Sequence, residues 1–163
     1  DSWNNFMLKY SKWEQEETIA LASKAGISRR QINLAIGVIE DHQSEYVNIK
    51  PHLLHFDFSP KHILVVGEHV SGIVDFENCM SGDYMYDLAW KEYFNEGSQS
   101  LIDGYRSVSK VPNDYKSLFN LYGLRIGLDL IRWFVIVNNR IGMTYSKVKM
   151  DEHLSHFFKP GHL

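Results

Sequence analysis

Two short stretches carry most of the chain's capacity for chemistry. The first is His55-Phe56-Asp57-Phe58-Ser59-Pro60-Lys61-His62, and the second is Asp75-Phe76-Glu77. Carboxylates and an imidazole gathered in one place suit phosphoryl transfer. One carboxylate accepts the proton of an attacking hydroxyl while another holds Mg²⁺ on nucleotide phosphates. The same groups also suit a second chemistry. His52, His55, Asp57, His62 and Asp75 together contain enough ligands for a transition-metal centre that activates water.

What joins the two stretches decides whether they act together. Ile63 to Val66, then Gly67-Glu68-His69, then Val70 to Val74 reads as a β-hairpin, the one clear strand signal in the chain. A hairpin brings its open ends together, so His62 and Asp75 are expected as near cross-strand neighbours, with Asp57 in the loop feeding the same end.

The rest reads as helix. Phe6, Tyr10, Trp13, Ala20 and Leu21 suggest one buried face of a helix over about 3–25, with Gly26 just past its end. Ser28 and Gln31 form a capping-box pattern ahead of a second helix with Ile32, Ala35, Ile36, Ile39 and Tyr46 on one side, a region ended by Pro51. A helix from Asp83 to about Gly97 follows the hairpin, then a shorter one stopped by Pro112. Asp114 precedes a long helix to about Asn138, apolar on most sides and so expected at the centre of a bundle. A last amphipathic piece holds Leu154, Phe157 and Phe158. His153, His156 and His162 fit no ligand spacing and read as surface histidines.

Composition narrows the partners. The 163 residues are 44% apolar and 23% charged, a globular composition of single-domain size. Seventeen Lys and Arg against 20 Asp and Glu give −3, with no basic block, which argues against nucleic acid as partner. The most apolar run, Leu128 to Val137, is interrupted by Asp129 and Arg132 and is too short for a membrane span. A lone cysteine, Cys79, and the lack of a leader at the start point to the cytoplasm. The chain opens on Asp1 and not on Met, which suggests part of a longer protein.

The spacing His55, Asp57, His62, then Asp75-Phe76 follows the offsets of the protein-kinase pattern H-R-D-x-x-x-x-N and D-F-G. Over residues 55–89 the sequence resembles the aminoglycoside phosphotransferase and choline kinase family more closely. Members show H-G-D-x-x-x-x-N-I-L, V-I-D-F/W and G-D-P-x-x-D-L-A, against His55 to Leu64, Gly72 to Glu77 and Gly82 to Ala89 here.

The resemblance implies a mainly α (α+β) fold, the helical C-terminal lobe of a protein-kinase-like enzyme, with one inserted hairpin carrying the catalytic loop and metal-binding Asp. Residues 1–163 would form that single catalytic and substrate-binding domain, without the strand-rich nucleotide-binding lobe. It implies Asp57 as catalytic base, Asp75 and His62 as Mg²⁺ ligands, and ATP or GTP as donor. His55 and Asp87 would be structural supports. Phe56 stands where the family commonly has Gly, and His62 where it commonly has Asn.

Glu77, Asp83, Glu92 and Glu96 are candidate contacts for a small alcohol substrate, cationic in some family members, although Asp83 also reads as a helix cap. The implied enzyme is a small-molecule O-phosphotransferase, inactive as this chain alone and prone to self-association through the surface facing the other lobe. Two alternatives stand beside it: the metal-dependent hydrolase, and a non-catalytic kinase-like binding module.

Overall fold

The computed structural model describes residues 2–95 and 98–158, and within them all side chains except those of Lys12, Trp13 and Ser98. The elements run α1 (Trp3–Met7), α2 (Gln15–Lys24), α3 (Arg29–Asp41), β1 (His52–Leu54), β2 (Ile63–Val66), β3 (His69–Ile73), β4 (Met80–Gly82), α4 (Met85–Tyr93), α5 (Ser98–Val108), α6 (Tyr115–Ile136) and α7 (Arg140–Phe157).

α6 is the axis of the bundle. Every residue from Leu121 to Leu128 is buried, because α2, α3, α4 and α7 pack around it. Glycines permit the closest approach: a Cβ on Gly123 would lie 2.4 Å from the His153 ring of α7. The capping box at the start of α3 forms as the sequence indicates. Gln31 N–H donates to Ser28 Oγ at 3.2 Å, and Ser28 N–H donates to Gln31 Oε1 at 2.9 Å.

The first helical segment departs from the expectation of one regular helix. A π-helical turn over Tyr10–Glu14 separates α1 from α2. The wider turn inserts a residue into the 3.6-residue repeat and rotates the face that follows. Thr18, Ile19 and Ala22 are therefore buried, whereas Ala20 is exposed and Leu21 half-buried.

The β structure is also larger than the hairpin alone. β2 and β3 pair antiparallel, Ile63 opposite Ile73 and Val66 opposite His69, with a bulge between Leu64 and Val65. β1 and β4 form a second two-stranded ribbon, His52 opposite Gly82 and Leu54 opposite Met80. Three-residue strands are too short to show an alternating pattern, and only long-range pairing reveals them.

His153 is not a surface residue. It is 8% exposed, stacks on Tyr93 at 5.5 Å, and its Nδ1 lies 3.0 Å from Asn120 Oδ1. Burial pushes its imidazole down to about 4, with Lys149 and His156 acting in the same direction and Glu152 opposing them. Between that value and about 6.5 the unfolded chain binds a proton that the folded chain refuses. Stability should therefore rise with pH across this window and level off above it, by up to about 3 kcal/mol. Urea unfolding at pH 4.5, 5.5 and 7.5 should show this slope in the parent chain and a flatter one in His153→Gln. Equal slopes would place the titration elsewhere.

Candidate active site

The site is built where the loop between β1 and β2 meets the open end of the β2–β3 hairpin, over the first turn of α4. β1 ends at Leu54, and the chain then enters the loop 55–59. The loop is anchored on α4: His55 N–H donates to Asp87 Oδ2 at 2.7 Å, and Phe56 N–H donates to Asp87 Oδ1 at 2.9 Å. Burial pushes the Asp87 carboxyl above its ordinary value, while the two N–H groups pull it down. Holding both donors on one carboxylate bends the backbone sharply. Phe56 sits at φ 71°, in the left-handed region that costs a non-glycine residue about 1–2 kcal/mol. This is the position where the family motif has Gly. Ring packing offsets the cost: Phe56 stacks on Tyr86 at 5.1 Å, nearly parallel, and meets Phe6 edge-on at 5.3 Å.

His55 ties the loop to the open end of the hairpin. Its Nε2 donates to the Val74 carbonyl at 2.8 Å, and its ring packs against Phe76 and stacks on His62. The turn Pro60–His62 follows, closed by His62 N–H donating to the Ser59 carbonyl at 2.9 Å. His62 Nδ1 lies 2.9 Å from the Asp57 carbonyl, an acceptor only, so this nitrogen carries the proton. Its Nε2 is left facing Asp75 Oδ2 at 3.1 Å. Asp75, like Phe56, adopts a left-handed conformation, φ 71°.

His55, Asp57, His62, Asp75 and Asp87 are thus drawn into one assembly. His62 Nε2 and Asp75 Oδ2 are spaced as two neighbouring ligands of one octahedral cation at roughly 2.1 Å would be. Asp75 is a hard oxygen donor of the kind Mg²⁺ takes, and two protein ligands leave the remaining positions to phosphate and water. Asp75 fits such an ion, whereas the neutral His62 nitrogen is a poorer ligand for it. Among the described residues no group of three or more His, Cys, Asp or Glu is arranged to hold a metal. The multi-ligand centre required by the hydrolase reading is not assembled: His52 is exposed and packs against Tyr84 instead.

The other candidates lie elsewhere. Asp83 is buried, accepting from Met85 N–H at 3.0 Å and from Tyr122 Oη at 2.7 Å. Glu77 is exposed beyond Asp75, and Glu92 is exposed on α4. Glu96 lies outside the described residues.

Sequence reasoning missed the support beneath the loop. Arg125 is wholly buried. Its Nε donates to the Phe6 carbonyl at 3.1 Å, its Nη1 pairs with Asp129, and its plane lies 3.9 Å from the Phe6 ring. Tyr10 Oη donates to the same Asp129, and burial pushes its hydroxyl well above the ordinary value. A charged residue within an apolar helix was the available signal.

The phosphotransferase enzyme family model matches residues 1–108, about two thirds of the chain. The chain belongs to this family. No curated protein matches in sequence. Solved structures of the aminoglycoside phosphotransferase APH(4)-Ia share the fold. An apo form of a thermostable mutant superposes with a TM-score of 0.72 at 16% identity, covering 97% of this chain and 54% of that one. A ternary complex with ADP and hygromycin B gives 0.73 at 15% identity, covering 94% and 52%. The chain thus spans about half the length of the solved structures it matches.

The structural weight of the Asp87 contacts is measurable as stability. Asp87→Ala should strand the two N–H groups and destabilise the fold by about 2–4 kcal/mol. Denaturant unfolding measures this directly; a loss under about 0.5 kcal/mol, the range of ordinary surface changes, would mean the clamp carries no structural weight.

Proposed function

We propose that the chain is the catalytic, acceptor-binding C-terminal lobe of a small-molecule O-phosphotransferase, which transfers the γ-phosphoryl group of ATP or GTP to a hydroxyl. The observation that carries the reading is the single loop-and-hairpin unit on which Asp57 and the His62–Asp75 pair are mounted together. Family membership supports the reaction class, and the ADP and hygromycin B complex of a structural neighbour is consistent with a nucleotide donor and a small acceptor.

In this reading Asp57 receives the proton of the acceptor hydroxyl as its oxygen attacks phosphorus. The carboxylate is half-buried, open enough to meet a substrate. Asp75, with His62 beside it, would hold Mg²⁺, which when bound neutralises charge on the nucleotide phosphates. His55 and Asp87 fix the backbone that leads into Asp57. Glu77, exposed just beyond Asp75, is the candidate nearest the metal pair in sequence for contact with a cationic acceptor.

Asp57→Asn, made in the enzyme complete with its nucleotide-binding lobe, should lower kcat by about a thousandfold and leave the fold intact, since a missing proton acceptor affects the transition state and not packing. Turnover within a few-fold of the parent would remove Asp57 from the mechanism.

The half-length match bears on what residues 1–163 do alone. Phosphoryl transfer needs the phosphates held from both sides. The hairpin also exposes apolar residues: Val65 is 57%, Val66 71% and Val70 65% exposed. This surface would face the other lobe. The chain alone should therefore lack phosphotransfer and ATPase turnover and should self-associate. Enzymatic assay and sedimentation velocity test both points, with Val66→Lys/Val70→Lys expected to restore a monomer. Substantial turnover by the monomer would contradict the lobe assignment.

A further inference from the structure

Asp57 has a cation beside it that no part of the family motif requires. Lys61 Nζ lies 3.9 Å from Asp57 Oδ2. Between Lys50 and Lys91 the sequence holds no other Lys or Arg, whereas it holds six carboxylates: Asp57, Glu68, Asp75, Glu77, Asp83 and Asp87. Lys91 is buried, so it does not reach the surface of the site. A nucleotide bringing its terminal phosphate to this stretch thus meets Asp57, Asp75 and Glu77, all at least partly exposed, and the stretch's single cation, Lys61.

The backbone around Lys61 is held still. Its turn is closed by the Ser59–His62 hydrogen bond, and His62 returns to the Asp57 carbonyl at 2.9 Å. The turn therefore fixes Lys61 Cα relative to the base on one side and the His62–Asp75 pair on the other. The side chain itself is exposed, 67%, and free to move by an ångström or two when substrate arrives.

We propose that Lys61 is a catalytic residue that binds the transferred phosphoryl group. The inference rests on the phosphotransferase reading above. An acceptor hydroxyl hydrogen-bonded to Asp57 at about 2.6–3.2 Å places the phosphorus about 3–3.5 Å further on in a near-attack arrangement. An ammonium already within 4 Å of the carboxylate can reach the equatorial oxygens of that group. As the acceptor oxygen bonds to phosphorus, its proton passes to Asp57. The bond from phosphorus to the bridging oxygen breaks, and its electrons stay on the departing nucleoside diphosphate. Lys61 keeps its proton throughout and stabilises the negative charge spread over the phosphoryl oxygens.

The test uses the complete enzyme and compares Lys61→Met and Lys61→Arg with the parent and with Asp57→Asn. The readouts are kcat, melting temperature, and calorimetric affinity for ADP and for AMP-PNP, which carries the γ-phosphate. Lys61→Met should cut kcat by about 10–100-fold, consistent with removing one charged transition-state contact, with the melting temperature and ADP affinity unchanged. Lys61→Arg should recover most of the loss. A kcat within three-fold of the parent in Lys61→Met, or a loss in which ADP affinity or melting temperature falls as well, overturns the assignment. Asp57→Asn separates the two levels: if it too is active, the phosphotransferase reading fails, whereas if it is dead and Lys61→Met is active, only the role of Lys61 fails.

Discussion

Two adjacent backbone N–H groups, of His55 and Phe56, end on the two oxygens of Asp87 at 2.7 and 2.9 Å. Consecutive amides of an extended strand point to opposite sides, so meeting one carboxylate requires the chain to turn between them. The turn is the left-handed conformation of Phe56. Beyond this turn, His62 comes back to the Asp57 carbonyl. The turn that leads into Asp57 is thus a consequence of one clamp at the first turn of a helix.

The clamp alone does not explain why a phenylalanine is tolerated in a conformation suited to glycine. Phe56 is held by rings on two sides, Tyr86 and Phe6. Phe6 in turn lies over the guanidinium of Arg125, which also receives the Tyr10 ring at 4.7 Å. Burying a cation in this way is costly unless it is paired, and Asp129, one turn along α6, supplies the charge. Tyr10 reaches Asp129 because the π-helical turn begins at this residue. The irregular helix, the buried ion pair and the strained loop residue form a continuous packing path from α6 to the site.

The hairpin has the opposite character. Its backbone is pinned at its open end, where Val74 N–H donates to the His62 carbonyl at 2.9 Å, while its apolar side chains largely face outward. Rigid placement of Asp75 and poor burial of the strands coexist because hydrogen bonds, not packing, hold this end in register.

The sequence by itself determined the parts of this protein that depend on short separations. Asp57, His62 and Asp75 lie within 19 residues, and a hairpin pattern connects them, so their convergence follows from strand alternation and one turn. The capping box, the long buried α6 and the family motif were legible for the same reason: each is written in neighbouring residues. Tertiary structure decided the rest. The β1–β4 ribbon joins residues about 28 apart and has no periodic signature. The π-helical turn moved the buried face from Ala20 and Leu21 to Ile19 and Ala22, a phase change that composition does not announce. Arg125 and His153 look like surface residues by type, and only the neighbours brought to them from distant helices make burial affordable. Burial of a polar group is settled by its partners, and partners more than a hundred residues away, such as Phe6 for Arg125, are set by the packed bundle.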